Sequence, residues 1–156
     1  MLIYHGSNKI VDKPLILTNG NTKDFGFGFY CTIFKEQAIE WAFNKCKFNK
    51  NLQPTLNIFE YNENNDLKIK IFNEISVEWF DFIIDCRMKN LQHDYDVVEG
   101  GMADDKIWWF FEDYISGEIP KDKLFELAKF RKLTHQIVFC TQKSLEFLKF
   151  QQAQIL

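Results

Sequence analysis

The sequence predicts one α+β domain, and three observations carry that expectation. The chain has 156 residues, which suits one hydrophobic core at about 100–200 residues per domain. Its strand-like and helix-like segments follow one another without a βαβ rhythm, an internal repeat or a dividing linker, which disfavours a doubly wound sheet. Its 17 Phe, 5 Tyr and 4 Trp supply rings for a core or for the lining of a cleft. With 46% apolar and 26% charged residues, disordered, collagen-like and low-complexity classes are excluded.

In chain order, Leu2 to His5 reads as a strand that runs into the turn Gly6-Ser7-Asn8, so His5 stands at a strand end. Lys13 to Lys23, with Pro14 and the cluster Asn19-Gly20-Asn21, reads as a surface loop. Phe29 to Ile33 is aromatic and β-prone and follows the glycines Gly26 and Gly28. Lys35 to Lys47 is helical, with Ala38, Trp41, Ala42 and Lys45 on one face. Thr55 to Tyr61 lacks a clean period, as in a strand covered on both faces, and Asn62 to Asp66 is the loop after it. Ser76 caps a mostly buried helix that reaches Lys89. Asp96 to Gly101 is a strand and a glycine turn. A helix runs through Tyr114, with Asp104 and Asp105 in its first turn, where their charges complement the helix dipole. Gly117 closes it and Pro120 prevents its continuation. Lys121 to Lys132 is helical, His135 to Cys140 is a strand, Thr141 caps a short helix through Leu148, and Phe150 to Ile155 is an edge strand.

Composition also excludes functions. A net charge of −3 and a pI near 5.6 give no cationic footprint for nonspecific DNA binding. No apolar run reaches the length of a membrane span, and the N-terminus lacks a signal-peptide pattern, so a cytoplasmic protein without a membrane role is expected. Cys31, Cys46, Cys86 and Cys140 show no metal or redox spacing and are expected as reduced thiols. His5, His93 and His135 are far apart without H-E-x-x-H, so no metal site is expected, and His93 reads as a solvated helix-end or loop residue. Asp24-Phe25-Gly26 copies the kinase metal-binding tripeptide, but the other kinase motifs are missing, and the match reads as coincidence. Gly26-Phe27-Gly28 lacks the third glycine of a dinucleotide fingerprint, and no phosphate loop occurs.

Three pieces remain: Tyr4-His5-Gly6-Ser7 at a strand end, Asp24-Phe25-Gly26-Phe27-Gly28-Phe29-Tyr30-Cys31-Thr32 before a helix, and His135-Gln136-Ile137-Val138-Phe139 in a late strand. In this order and chain length they resemble the ADP-ribosyltransferase fold, in the His-Tyr-Glu branch that holds the diphtheria-toxin-like and poly(ADP-ribose) polymerase catalytic domains. The resemblance covers nearly the whole chain. The Ala-Asp-Asp stretch and the final Gln-x-x-Phe-x-Thr are similar to a small toxin-like bacterial family of that fold. The resemblance implies a split β-sheet core with surrounding helices and NAD as substrate. It also implies that His5 binds the adenosine ribose, Gly6 the nicotinamide amide, and that Ser7 adds a hydroxyl. Tyr30 then stacks on the nicotinamide ring, and Gly26 and Gly28, with Phe25 in the same motif, border the dinucleotide. Gln136 matches the third-motif residue that holds the nicotinamide-side ribose.

The departure is at that third position, where the active polymerases and toxins carry glutamate. Gln136 cannot act as a base, although it can hydrogen-bond a ribose hydroxyl and hold NAD in a reactive geometry. Asp104 and Asp105 are candidates on the acceptor side, against the simpler reading that they serve a helix terminus. An acceptor that needs little deprotonation is the other solution. Taken singly, His5 as a turn residue, Tyr30 as a core ring and Gln136 as an ordinary strand residue are each the plainer reading. Their joint order favours the resemblance, and period-2 alternation sets Gln136, Val138 and Cys140 opposite Ile137 and Phe139.

The leading functional expectation is a mono-ADP-ribosyltransferase acting on a protein or nucleic-acid acceptor, as a toxin or phage-defence protein with a small antitoxin partner. The alternative is a catalytically silent module that binds NAD, ADP-ribose or a protein. An RNA 2′-phosphotransferase is disfavoured by the acidic balance and by the supply of only two arginines, Arg87 and Arg131. The rings of Trp108, Trp109, Phe110 and Phe111 serve either a partner surface or the core.

Overall fold

A computed structural model describes residues 1–129 and 134–156, with Asp105 and Lys129 described by backbone only. The chain is mixed α+β. Its strands are β1 (Leu2–Ser7), β2 (Phe29–Cys31), β3 (Thr55–Tyr61), β4 (Ile69–Ile71), β5 (Val97–Gly100), β6 (Gln136–Phe139) and β7 (Leu148–Ile155). Its helices are α1 (Lys35–Cys46), α2 (Val77–Lys89), α3 (Asp105–Ile115), α4 (Lys121–Lys129) and α5 (Gln142–Leu145). One sheet has the order β1-β3-β7 and is antiparallel; the other has the order β2-β6-β5-β4, with β4 and β5 parallel.

Side-chain alternation explains how the sheets stack. Ile137 and Phe139 of β6 and Val97 of β5 point into a core shared with Ile3 and Phe59 of the first sheet. Val138 and Val98, one residue out of phase, point the other way into a core with Trp79 and Phe80 of α2, Phe111 of α3 and Leu124 of α4. Such a two-faced strand pair needs apolar residues at consecutive positions. Beyond the first sheet, Ala38 of α1 packs against Leu56 and Ile58. The contact is close because position 6 has no side chain: a Cβ there would stand 2.0 Å from the Ala38 carbonyl oxygen.

The two sheets are bridged at Tyr4 and Thr32, whose backbones exchange hydrogen bonds of 2.8 and 2.9 Å. Beyond that bridge β1 continues to Ser7, so His5 stands in the opening between the sheets rather than at the strand's end. The strand runs two residues further than the sequence predicts because β3 supplies partners as far as Ser7↔Thr55.

Ser76 caps α2 by accepting from the Trp79 amide, and Gly117 takes the left-handed conformation, φ 82°, after α3. Thr141 caps α5, but that helix stops at Leu145, and β7 begins at Leu148 rather than Phe150, as the edge strand beside β3. On α1 the buried face is narrower than predicted: Ala38 and Ala42 are buried while Trp41 is 47% exposed. Strand β4 is not predicted; three residues paired to β5 on one side are too few to show a period. Residues 130–132 of the predicted helix from Lys121 lie outside the described residues. Of the four consecutive rings on α3, Phe111 is buried and Trp109 is 60% exposed. Among the described residues, no helix is long and apolar enough to cross a membrane.

Candidate functional site

The opening between the sheets widens into a cleft of about 970 Å³, at the upper end of the usual 300–1,000 Å³ for ligand sites. His5, Gly6, Ser7, Gly26, Gly28, Tyr30, Asp104 and Gln136 all line it. Most of the set expected from the sequence is thus brought together from β1, β2 and the segment before it, the N-terminus of α3, and β6.

His5 reaches across the opening, its Nδ1 2.7 Å from the Tyr30 carbonyl oxygen. A carbonyl only accepts, so Nδ1 carries the proton and Nε2 is left as an acceptor when the ring is neutral. Burial lowers the His5 pKa to about 4, against the opposing pull of that hydrogen bond, and the ammonium groups of Lys45 and Lys23 add to the fall. The ring also packs on Phe29 at a centroid distance of 4.4 Å.

Tyr30 is tethered at its far end. Its hydroxyl donates to the Gly26 carbonyl at 2.8 Å and accepts from the Phe25 amide at 3.2 Å, and burial raises its pKa well above the ordinary phenol value. The tether closes a turn in which the Gly26 amide donates to the Lys23 carbonyl at 3.0 Å. Gly26 supplies the φ of +80° that this turn requires. Lys23 Nζ lies 4.8 Å from the Tyr30 ring centroid. Gly28 serves packing as well: a Cβ there would stand 2.5 Å from Val138 Cγ1.

Gln136 is 5% exposed and donates through Nε2 to Asp24 Oδ2 at 2.9 Å and to the Gly101 carbonyl at 3.0 Å. Asp24 is 2% exposed. Its Oδ2 also accepts from the Ala103 amide at 2.8 Å, and its Oδ1 is paired with the Arg87 guanidinium. Arg87 in turn donates to the Ala103 carbonyl at 3.2 Å and lies over the Trp108 ring at 4.4 Å. Trp79 Nε1 donates to the Gly101 carbonyl at 3.1 Å. Residues 101–103 are therefore strapped in place by the side chains of Asp24, Trp79, Arg87 and Gln136. On the other side of β6, the Gln37 amide clasps the His135 backbone at 2.7 and 3.0 Å, which ties the start of the strand to α1.

Four lysines, Lys9, Lys13, Lys23 and Lys45, also line the cleft, and none has a carboxylate partner among the described residues. Burial lowers the pKa of both Lys23 and Lys45, and Lys23 adds its repulsion at Lys45. With Arg87 the four lysines set five cations against four lining carboxylates, Asp12, Asp24, Glu40 and Asp104, a slight positive excess in a chain whose net charge is −3.

Several sequence expectations need correction. Phe25 does not line the cleft: it is 0% exposed and its ring packs against Phe72 and Phe82, because the turn that aims Asp24 inward buries the next residue. Asp104 is committed as the N-cap of α3, accepting from the Ile107 amide at 2.9 Å. The side chain of Asp105 lies outside the described residues. His93 is a loop residue, as expected, but half-buried rather than solvated; its Nε2 is 3.1 Å from the Phe25 carbonyl and its ring packs on Phe82 and Tyr95.

The residues that sequence reasoning misses are Asp24, Arg87, Lys23 and Lys45. Asp24 stands inside a tripeptide that reads as a coincidence, and Arg87 figures there only as one of two arginines. No spacing rule links position 24 to position 136. Among the described residues, no group of three or more His, Cys, Asp or Glu side chains could hold a metal ion.

Comparison with known proteins adds the family. Residues 1–150 match the model of a family described as "Protein of unknown function (DUF3990)". No curated protein and no solved structure matches the chain. With nearly its whole length matched, the chain belongs to the DUF3990 family.

Proposed function

We propose that the protein is a mono-ADP-ribosyltransferase, of the His-Tyr-Glu kind with glutamine in the third position, that moves ADP-ribose from NAD to a macromolecular acceptor. The finer fold reading, an ADP-ribosyltransferase-like split sheet, belongs to the same proposal. So do its action in the cytoplasm as a toxin or phage-defence protein and its pairing with a small antitoxin. The observation that carries it is the convergence of His5, Tyr30 and Gln136 on one cleft, from segments 25 and 106 residues apart.

The residues present fit such a dinucleotide. His5 Nε2 is an acceptor for a ribose hydroxyl. The Tyr30 ring is held by both ends for stacking, a contact worth roughly 0.5–1.5 kcal/mol beyond burial. Lys23 and Lys45 provide charge for a diphosphate without first breaking an ion pair. Gln136 offers Oε1 to the nicotinamide-side ribose.

When bound, NAD supplies the ribose carbon whose bond to nicotinamide breaks, with the electron pair leaving on the nicotinamide. The acceptor then bonds to that carbon and gives its proton to water. Gln136 orients the ribose by hydrogen bonding and faces the positive charge that develops there. Tyr30 keeps the ring stacked. Asp24 is committed to the Gln136 amide, the Ala103 amide and the Arg87 guanidinium, and Asp104 spends Oδ1 on the α3 cap. That observation favours an acceptor nitrogen that needs no prior deprotonation, or else the second reading, a silent module that binds NAD, ADP-ribose or a protein.

The test is incubation of wild-type protein and Tyr30→Ala with adenylate-labelled NAD and bacterial lysate, followed by counting label in protein, DNA, RNA and small-molecule fractions. Circular dichroism checks that the variant is folded. Label in one macromolecular fraction, lost in the variant, supports the transferase and identifies the acceptor class. Equal label with wild type and variant would sink it, and tight NAD binding without label supports the silent module.

A further inference from the structure

The amide of Gln136 has only one orientation open to it. Both of its nearest polar neighbours, Asp24 Oδ2 at 2.9 Å and the Gly101 carbonyl at 3.0 Å, are acceptors. Only the NH₂ end can face them, so Oε1 is turned away from both. Each group around Asp24 is a donor: the Gln136 amide, the Ala103 backbone and the Arg87 guanidinium. At 2% exposure water competes little with these bonds, and a hydrogen bond to a carboxylate is roughly twice as strong as a neutral one. Drawing on the NH₂ hydrogens pushes electron density toward the amide oxygen. That oxygen, on a residue that lines the cleft, is then more carboxylate-like than that of a free amide.

We infer that Asp24 is a positioning residue that acts through Gln136: the buried carboxylate fixes and polarises the amide, so that the pair takes the part a single glutamate plays in the relatives that this chain resembles. This inference rests on the NAD reading of the cleft. Glutamine is also the residue that Asp24 permits. A glutamate at position 136 would bring a second carboxylate against Oδ2 and the Gly101 carbonyl, three acceptors with no hydrogen among them. The tripeptide that copies a kinase motif thereby gains a role of its own: its aspartate supplies the charge, and its glycine forms the turn that aims the aspartate inward.

The test is a double-mutant cycle with Asp24→Asn, Gln136→Glu and both together, read by thermal melting and by the kcat and KM of nicotinamide release from NAD. Each single variant is expected to melt at least ~5 °C below wild type. On the Gln136→Glu background, Asp24→Asn is expected to raise the melting temperature, because the donation from the introduced amide to the introduced carboxylate outweighs the loss of Oδ2 as acceptor for the Ala103 amide; the effect of one substitution thus changes sign with the other. The single variants are expected to lose at least about tenfold in kcat with KM changed by less than about threefold, and the double variant to regain most of that loss.

Additive melting shifts, with wild type turning over NAD, would overturn the inference and leave the NAD reading standing. A sign reversal in melting with no nicotinamide release from wild type overturns the NAD reading, and Asp24 then serves the fold alone. Kinetic loss confined to KM, or no recovery in the double variant, would reduce Asp24 to a structural support.

Discussion

The two walls of the cleft are built on opposite principles. In the inner wall Asp24, Ala103 and Gln136 are buried and joined by hydrogen bonds, and the half-buried Arg87 pairs with Asp24 at their edge. The outer wall is the long loop that follows β1, where Ile10, Leu15 and Leu17 are 56, 64 and 64% exposed. It is held to the sheet by few side-chain bonds, notably Asn57, which accepts from the Val11 amide at 2.8 Å and donates to the Lys9 carbonyl at 3.2 Å. The lesson is a division of labour. A buried polar network tolerates one arrangement of donors and acceptors, which suits fixed chemistry. A loosely held apolar loop can change sequence without disturbing the fold, which suits a choice of acceptor.

The comparison breaks most severely if the inner wall proves expendable. Asp24→Ala strands the Gln136 and Ala103 donors and leaves Arg87, whose side chain is 27% exposed, without its counter-charge, so it is expected to cost roughly 2–4 kcal/mol in chemical denaturation. A loss under about 1 kcal/mol would show that the network is not holding the wall.

A smaller effect comes from pH. The folded pKa of His5, about 4, lies below the ordinary histidine value of 6.5, so the unfolded chain takes up the proton first. The stability this burial implies is complete above about pH 6.5, declines as pH falls toward about 4, and levels off below that. His5→Gln should flatten that part of the stability profile, and an unchanged slope would mean that His5 is solvated.

The lysines come next. Replacing Lys23 and Lys45 by Gln is expected to weaken ADP-ribose binding about tenfold at low salt and less at high salt, while adenosine binding and melting stay the same. Equal losses for both ligands would detach the lysines from the diphosphate. Least of all, Leu15→Ser with Leu17→Ser should shift stability by no more than about 0.5 kcal/mol. The same pair should alter which macromolecules carry label while leaving nicotinamide release unchanged.

How much of this was legible in the sequence follows the same division. Strand periodicity and capping residues show in local spacing, so β3, α2 with its Ser76 cap and the alternation along β6 are readable from the chain. The convergence of His5, Tyr30 and Gln136 was legible only through motif order, since nothing in composition brings positions 5 and 136 together. The Asp24 to Gln136 bond spans 112 residues and joins two unremarkable contexts, a turn and a strand start. Pattern rules speak to neighbours three or four apart and are silent at that range. Phe25 misled because it adjoins the site in sequence while its ring belongs to the core. Strand β4 was invisible because its order comes from pairing with β5 rather than from its own three residues.

The central claim is that the inner wall splits NAD. The most direct measurement is release of labelled nicotinamide by wild type, Tyr30→Ala and Gln136→Ala in the presence of bacterial lysate, on variants shown to be folded. The expected result is release by wild type and a loss of at least about a hundredfold in each variant. No release by wild type, or equal release by all three, would contradict it.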